Sequence, residues 1–120
     1  MSIQQKNVEV AGETYFLTQF PATKGIKILK QLIKLVGPAA AEIFKDGDIG
    51  GAVGKLVENL DNVDVENLIK EMVGSVSKNN MAINFDNEFA GSYSKLLLLI
   101  REVVEFNFGD VFTILGSSAQ

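Results

Sequence analysis

Residues 87–115, NEFAGSYSKLLLLIREVVEFNFGDVFTIL, constrain the fold more than any other stretch. Phe89, Tyr93, Leu96, Leu97, Ile100, Val103 and Val104 recur at helical spacing and mark one broad face, while Leu98 and Leu99 carry apolar surface round the back. A helix that is apolar on more than one side must be covered on more than one side, by its own domain or by a second chain. It runs into an aromatic segment, Phe106-Asn107-Phe108-Gly109-Asp110, with Phe112, Ile114 and Leu115 beyond. These five large apolar groups read either as core or as a terminal anchor for a partner, because aromatics are favoured at interfaces.

What could cover such a helix is visible upstream. Val8-Glu9-Val10 and Thr14-Tyr15-Phe16-Leu17-Thr18 are β-prone runs around Ala11-Gly12-Glu13, which predicts a hairpin too short to stand without a helix over it. Pro21 can open a helix and Gly37-Pro38 can close it, so residues 22–36 are predicted helical, with Ile26, Leu29, Ile33 and Val36 as the stripe and Ile28, Leu32 and Leu35 widening it. A short helix over 38–44 and a Gly-rich connection over 46–51 should follow. Val53, Leu56, Val57 and Leu60 then predict one amphipathic helix, and Val65, Leu68, Ile69, Met72, Val73 and Val76 another, with Asp64 as N-cap, the two forming an antiparallel pair. Residues 77–80 read as a loop and 81–85 as an extended approach to the last helix. With 120 residues, 47% of them hydrophobic, one domain can bury a core. The expected architecture is mainly α: a β-hairpin in 1–20, a bundle of about five helices in 21–115 and a flexible tail at 116–120.

Chemistry is narrowed by what is missing. The chain has no cysteine and no histidine, which removes thiolate and imidazole metal ligands, the commonest general base, and every Ser-His or Cys-His nucleophile pair. Catalysis would have to rest on carboxylates, Lys or Tyr, and the nearest carboxylate pairs, Asp86 with Glu88 and Glu102 with Glu105, come with no neighbour in sequence to split their pKa values. They read as solvated acidic surface, and no enzyme is expected. The loop Asp46-Gly47-Asp48-Ile49-Gly50-Gly51 fails as a calcium loop, because its twelfth position is Val57 and not a carboxylate. It fails as a P-loop because Ile49 stands where glycine is needed and Leu56 where Ser or Thr is needed. As a dinucleotide fingerprint it lacks the first glycine. No cofactor and no metal are expected. The first residues lack the order of a signal peptide, and the longest apolar run, 96–100, is far short of a membrane span, so a soluble cytoplasmic protein is expected.

Charge is unevenly placed. Residues 1–45 hold six lysines against three glutamates, whereas 46–120 hold five basic against twelve acidic groups. Lys24, Lys27, Lys30 and Lys34 recur every three or four residues on the first helix, as a solvated face or as a docking strip for an acidic protein surface. Nucleic acid is a poor fit, since the net charge is −4 and this half has no arginine.

Val8-Glu9-Val10-Ala11-Gly12-Glu13-Thr14-Tyr15, then Phe20-Pro21-Ala22-Thr23-Lys24-Gly25, then Gly37-Pro38-Ala39 resemble the opening of a family of small tail assembly chaperones of tailed bacteriophages. Phe85-Asp86-Asn87-Glu88-Phe89-Ala90-Gly91 before a leucine-rich helix, and Phe106-Asn107-Phe108-Gly109-Asp110-Val111-Phe112 after it, are similar to that family's closing pattern. The match covers residues 8–40 and 85–112, and its specificity lies in the two blocks occurring in order. The resemblance implies a non-enzymatic protein of the host cytoplasm, absent from the mature virion, that binds the tape measure protein and helps tail tube subunits polymerise around it. The tail tube protein is then a second partner, and a homo-oligomer is compatible with the role. An apolar helical surface with a charged rim suits reversible cover of a long apolar helical protein. Lys24, Lys27, Lys30 and Lys34, with Phe106, Phe108 and Phe112, are the partner-binding candidates, chosen from their chemistry and not carried over from the family. The alternatives are a small structural or connector protein retained in the virion, and a helical protein-binding adaptor.

Overall fold

The computed structural model describes residues 3–36, 54, 58–59 and 63–118, with 36, 63 and 112–118 described by backbone alone. The elements in chain order are β1 (Gln5–Val10), β2 (Glu13–Thr18), α1 (Ala22–Val36), α2 (Val63–Val73), β3 (Val76–Lys78), β4 (Met81–Ala82), α3 (Phe85–Phe89) and α4 (Tyr93–Ser118). The strands form one antiparallel sheet in the order β1-β2-β3-β4. This corrects the expected hairpin followed by a bundle of about five helices. The fold is a four-stranded antiparallel sheet packed with four helices among the described residues.

The first hairpin follows from its turn. Ala11 and Gly12 both take positive φ, 52° and 80°, which is the backbone of a two-residue turn whose twist matches that of the flanking strands. The turn pairs Val10 with Glu13 and fixes the register down to Gln5 opposite Thr18. Val8, Val10, Tyr15 and Leu17 are thereby buried together, and a slip of one residue would turn all four outward. Alanine is strained at the first turn position, where asparagine is favoured. Ala11→Asn should raise the unfolding free energy by about 0.5–1 kcal/mol in urea titrations, whereas Ala11→Val should lower it.

The second hairpin replaces the expected loop at 77–80 and takes in Val76, expected in the preceding helix, and Met81-Ala82, expected to be extended. Asn79 and Asn80 take φ of 56° and 66°, and the turn they make returns Lys78 opposite Met81. β3 joins the sheet by pairing Ser77 with Phe16 and Val76 with Leu17 of β2. Strands of three and two residues show no alternation to read. The Asn-Asn pair, in a side chain type that tolerates left-handed backbone, was the signal available.

α1 occupies the predicted range, but its buried line is turned: Ile28 and Leu32 are in the core, while Ile26 and Ile33 face outward. α2 buries Val65, Leu68, Ile69, Met72 and Val73 as predicted, then stops, and Val76 belongs to β3. Asp64 lies in the first turn of α2, not before it. Asn84 caps α3, its side chain accepting the Asn87 N–H at 3.1 Å. α4 buries Leu96, Leu99, Ile100, Val103, Val104 and Phe108, so Leu99, expected at the back, sits at the centre, while Tyr93 and Leu98 are exposed. The helix runs through 106–110 without a break, so the aromatic segment is helical. The core lies between the inner face of the sheet and these helices. The helix expected at 38–44, the connection at 46–51 and the helix of Val53, Leu56, Val57 and Leu60 lie outside the described residues. No described helix is long and apolar enough to cross a membrane.

Candidate functional site

Two seams fasten the N-terminal segment to the C-terminal half. In the first, Phe20, just ahead of α1, donates its backbone N–H to Asn107 Oδ1 at 2.8 Å, and Asn107 Nδ2 donates to the Val103 carbonyl at 2.9 Å. The rings of Phe20 and Phe108 meet beside it at 5.9 Å. An asparagine one residue from an aromatic anchor thus sets the point at which α1 leaves the sheet.

The second seam is ionic. Tyr15, fully buried, donates its hydroxyl to Glu88 Oε2 at 2.5 Å, and the same oxygen accepts from Lys78 Nζ at 3.0 Å and Lys95 Nζ at 3.3 Å. Glu13 completes the ring, accepting from Lys95 at 2.8 Å and from Lys78. The Lys95 and Glu88 side chains are only 12% and 15% exposed, so these charges interact with little screening. Glu88, read from sequence as solvated, is therefore a structural acceptor, whereas Asp86 and Glu105 are exposed.

This ring contains the residue types on which catalysis without histidine would depend, but its electrostatics run the other way. Hydrogen bonds from Lys78 and Lys95 hold the Glu13 carboxyl down at about 2. The Tyr15 hydroxyl lowers Glu88. Burial, with the Glu88 hydrogen bond, pushes the Tyr15 phenol up to about 12. Bonds to Glu13 raise Lys78 and Lys95. Each group is driven away from neutral pH and locked in its ordinary charge state, the opposite of what a general acid or base requires. Among the described residues no group of His, Cys, Asp or Glu side chains is placed to hold a metal ion.

With both seams closed, α1 presents its outer side to solvent. Lys27, Lys30 and Lys34 are exposed there beside Ile26 and Ile33, which are 60% and 38% exposed. Lys24 lies on the opposite flank, half-buried, its Nζ 5.2 Å from the centre of the Phe20 ring. Lys34 also lines a cleft of about 600 Å³ between α1 and α2. Of the aromatic candidates, Phe108 is in the core and Phe106 is half-buried under Lys6, whose Nζ is 5.6 Å from its ring centre. The Phe112 side chain is outside the described residues. Spacing placed Lys27, Lys30 and Lys34 on one face but wrongly added Lys24 to it, and Ile26 and Ile33 were missed as surface residues because the sequence offered seven large apolar positions on one helix.

The blocks that carried the family resemblance are the ones that meet at the seams: Glu13, Tyr15 and Phe20 from the first, Glu88, Asn107 and Phe108 from the second. A family model described as phage tail assembly chaperone protein, TAC, matches residues 11–118, which takes in both blocks, except residues 8–10, and everything between them. Neither a curated protein nor a solved structure matches the chain. With nearly its whole length inside that match, the chain belongs to the phage tail assembly chaperone family.

Proposed function

We propose that this tail assembly chaperone binds the tape measure protein in the infected cell, keeps its apolar helical stripes from associating, and yields it to tail tube subunits as they polymerise, without staying in the mature particle. The observation that carries the reading is the outer side of α1, where large apolar and cationic side chains share an exposed face on a rigidly seated helix. Such a face suits reversible cover of an amphipathic helix, and family membership supplies the setting of tail assembly. Lys27, Lys30 and Lys34 are the proposed contacts of this helix, and Phe106 and Phe112 the proposed aromatic contribution of α4, whereas Lys24, on the opposite flank, and Phe108, in the core, are not proposed as contacts. The role is one of binding and release, with no bond made or broken.

Co-expression with the tape measure protein of the same phage, followed by size-exclusion chromatography with light scattering, tests it. Co-elution, with the partner soluble only in the presence of this chain, is the expected result. Separate elution with unchanged partner solubility would reject the reading, and a stoichiometric band of this chain in purified virions would replace it with a structural role.

A further inference from the structure

We propose that the strip formed by Ile26, Lys27, Lys30, Ile33 and Lys34 is the docking surface, and that its occupant is an amphipathic helix whose apolar stripe is bordered by aspartate or glutamate. This rests on the chaperone reading above and names the surface and the partner chemistry within it.

The geometry comes first. Ile26 and Ile33 are seven residues apart, two turns or about 10.5 Å along one face of α1, with Lys30 between them. That is the spacing at which a second helix laid alongside offers its own apolar side chains. Single exposed apolar residues are ordinary on protein surfaces. This pair differs because the helix is already seated by Ile28 and Leu32, both almost completely buried, so the core formed by the described residues leaves Ile26 and Ile33 outside it.

Charge identifies the occupant. α1 carries four lysines and no carboxylate. Three of the four other described lysines have counter-charges: Lys70 pairs with Glu66 at 3.3 Å, and Lys78 and Lys95 each bridge Glu13 and Glu88, while Lys6 sits over the Phe106 ring. Lys27, Lys30 and Lys34 make no such pair among the described residues, so a partner bringing carboxylates meets three cations that nothing on their own helix neutralises. A second copy of this chain laid strip to strip would bring the same lysines and no acid. Nucleic acid is disfavoured because two isoleucines have no counterpart on a phosphate backbone and the net charge of −4 repels a polyanion. Lysine, a point charge on a flexible stem, also suits a partner whose carboxylates vary in position along its length, where arginine would demand a fixed fork. Two isoleucines with three rim charges fall far short of the roughly 800 Å² per partner of a stable specific interface. The contact is therefore readily reversible, as release onto a growing tube requires.

The test uses the full chain and the tape measure protein of the same phage, with affinity measured by titration calorimetry at low and high salt. The variants are Ile26→Ser with Ile33→Ser, Lys27→Glu with Lys30→Glu and Lys34→Glu, and Leu98→Ser as an exposed apolar control on α4. All substituted positions are exposed, so thermal melts of the variants should match the parent. The isoleucine and lysine variants are each expected to weaken binding by roughly tenfold, the lysine variant also losing most of the salt dependence, with the control unchanged. If the parent binds and folded strip variants bind equally well, the surface is elsewhere and the chaperone reading survives. If the parent does not bind, the chaperone reading itself fails. A dimer of this chain that the strip variants convert to monomer would overturn the choice of occupant.

Discussion

Phe108→Ala should lower the unfolding free energy by about 3–5 kcal/mol, a large part of the 5–15 kcal/mol typical of a domain. The ring is 5% exposed and packs on Phe20, next to the hydrogen bond from Phe20 to Asn107. Truncation leaves a cavity at the joint between α4 and the entry to α1, and the loss exceeds simple transfer of the ring to water because the two helices cannot close over the gap without shifting. Phe108→Leu keeps most of the volume and should cost under about 1.5 kcal/mol. Urea unfolding of both variants checks this, and near-equal midpoints for parent and alanine variant would place Phe108 outside the core. The result also bears on function: loss of partner binding in Phe108→Ala would report a disordered α1 seat, whereas the strip variants, being exposed, report contact.

Removing the charge of Glu88 should produce the second large effect. Glu88→Gln weakens the acceptor shared by Tyr15, Lys78 and Lys95 and should cost about 1–3 kcal/mol, because the buried Tyr15 hydroxyl donates to this carboxylate. The pH profile carries a sharper signature. The Glu13 carboxyl is depressed from 4.5 to about 2, and Glu88 is depressed with it, so their stabilisation is present above about pH 4.5 and is lost as pH falls towards 2. Tyr15, raised from 10 to about 12, and the raised lysines contribute below about pH 10 and lose that contribution as pH rises through their folded values. Without histidine nothing in this ring titrates between, so thermal stability should be flat from about pH 5 to 10 and fall on both sides. In Glu88→Gln the acid limb should become shallower, with one fewer depressed carboxylate. Parallel profiles for parent and variant would show that Glu88 does not take part in the ring.

The parts of this fold that were legible in sequence are those specified locally. α1 and α2 announce themselves through helical spacing, and the first hairpin through alternation around Ala11-Gly12. β3 was not legible because it pairs with Phe16 and Leu17, residues distant in sequence, nor was β4, which pairs only with β3, and five residues in all carry no periodicity of their own. The rotation of α1 was hidden because apolar side chains occupy most of its circumference, and only packing against α2 and the sheet decides which are buried. The ionic ring was invisible for a related reason: Glu13, Tyr15, Lys78, Glu88 and Lys95 come from β2, β3, α3 and α4 and share no spacing. Of the candidate site, the shared face of Lys27, Lys30 and Lys34 could be read directly, while the departure of Lys24 from it, the isoleucines beside it and the burial of Phe108 could not.

The hydrogen bond between Phe20 and Asn107 joins residues 87 apart in sequence. At the ~5–20 residues per second of synthesis, Phe20 emerges about 4–17 s before the residue that fixes it. Through that interval β1 and β2 form a hairpin too small to persist alone, and α1 has neither α2 nor α4 to cover Ile28 and Leu32. A nascent chain of this protein is therefore expected to complete its fold only when its last helix is made, by late, long-range closure. The chaperone spends its own first seconds with apolar helix uncovered, the same hazard from which it is proposed to shield its partner.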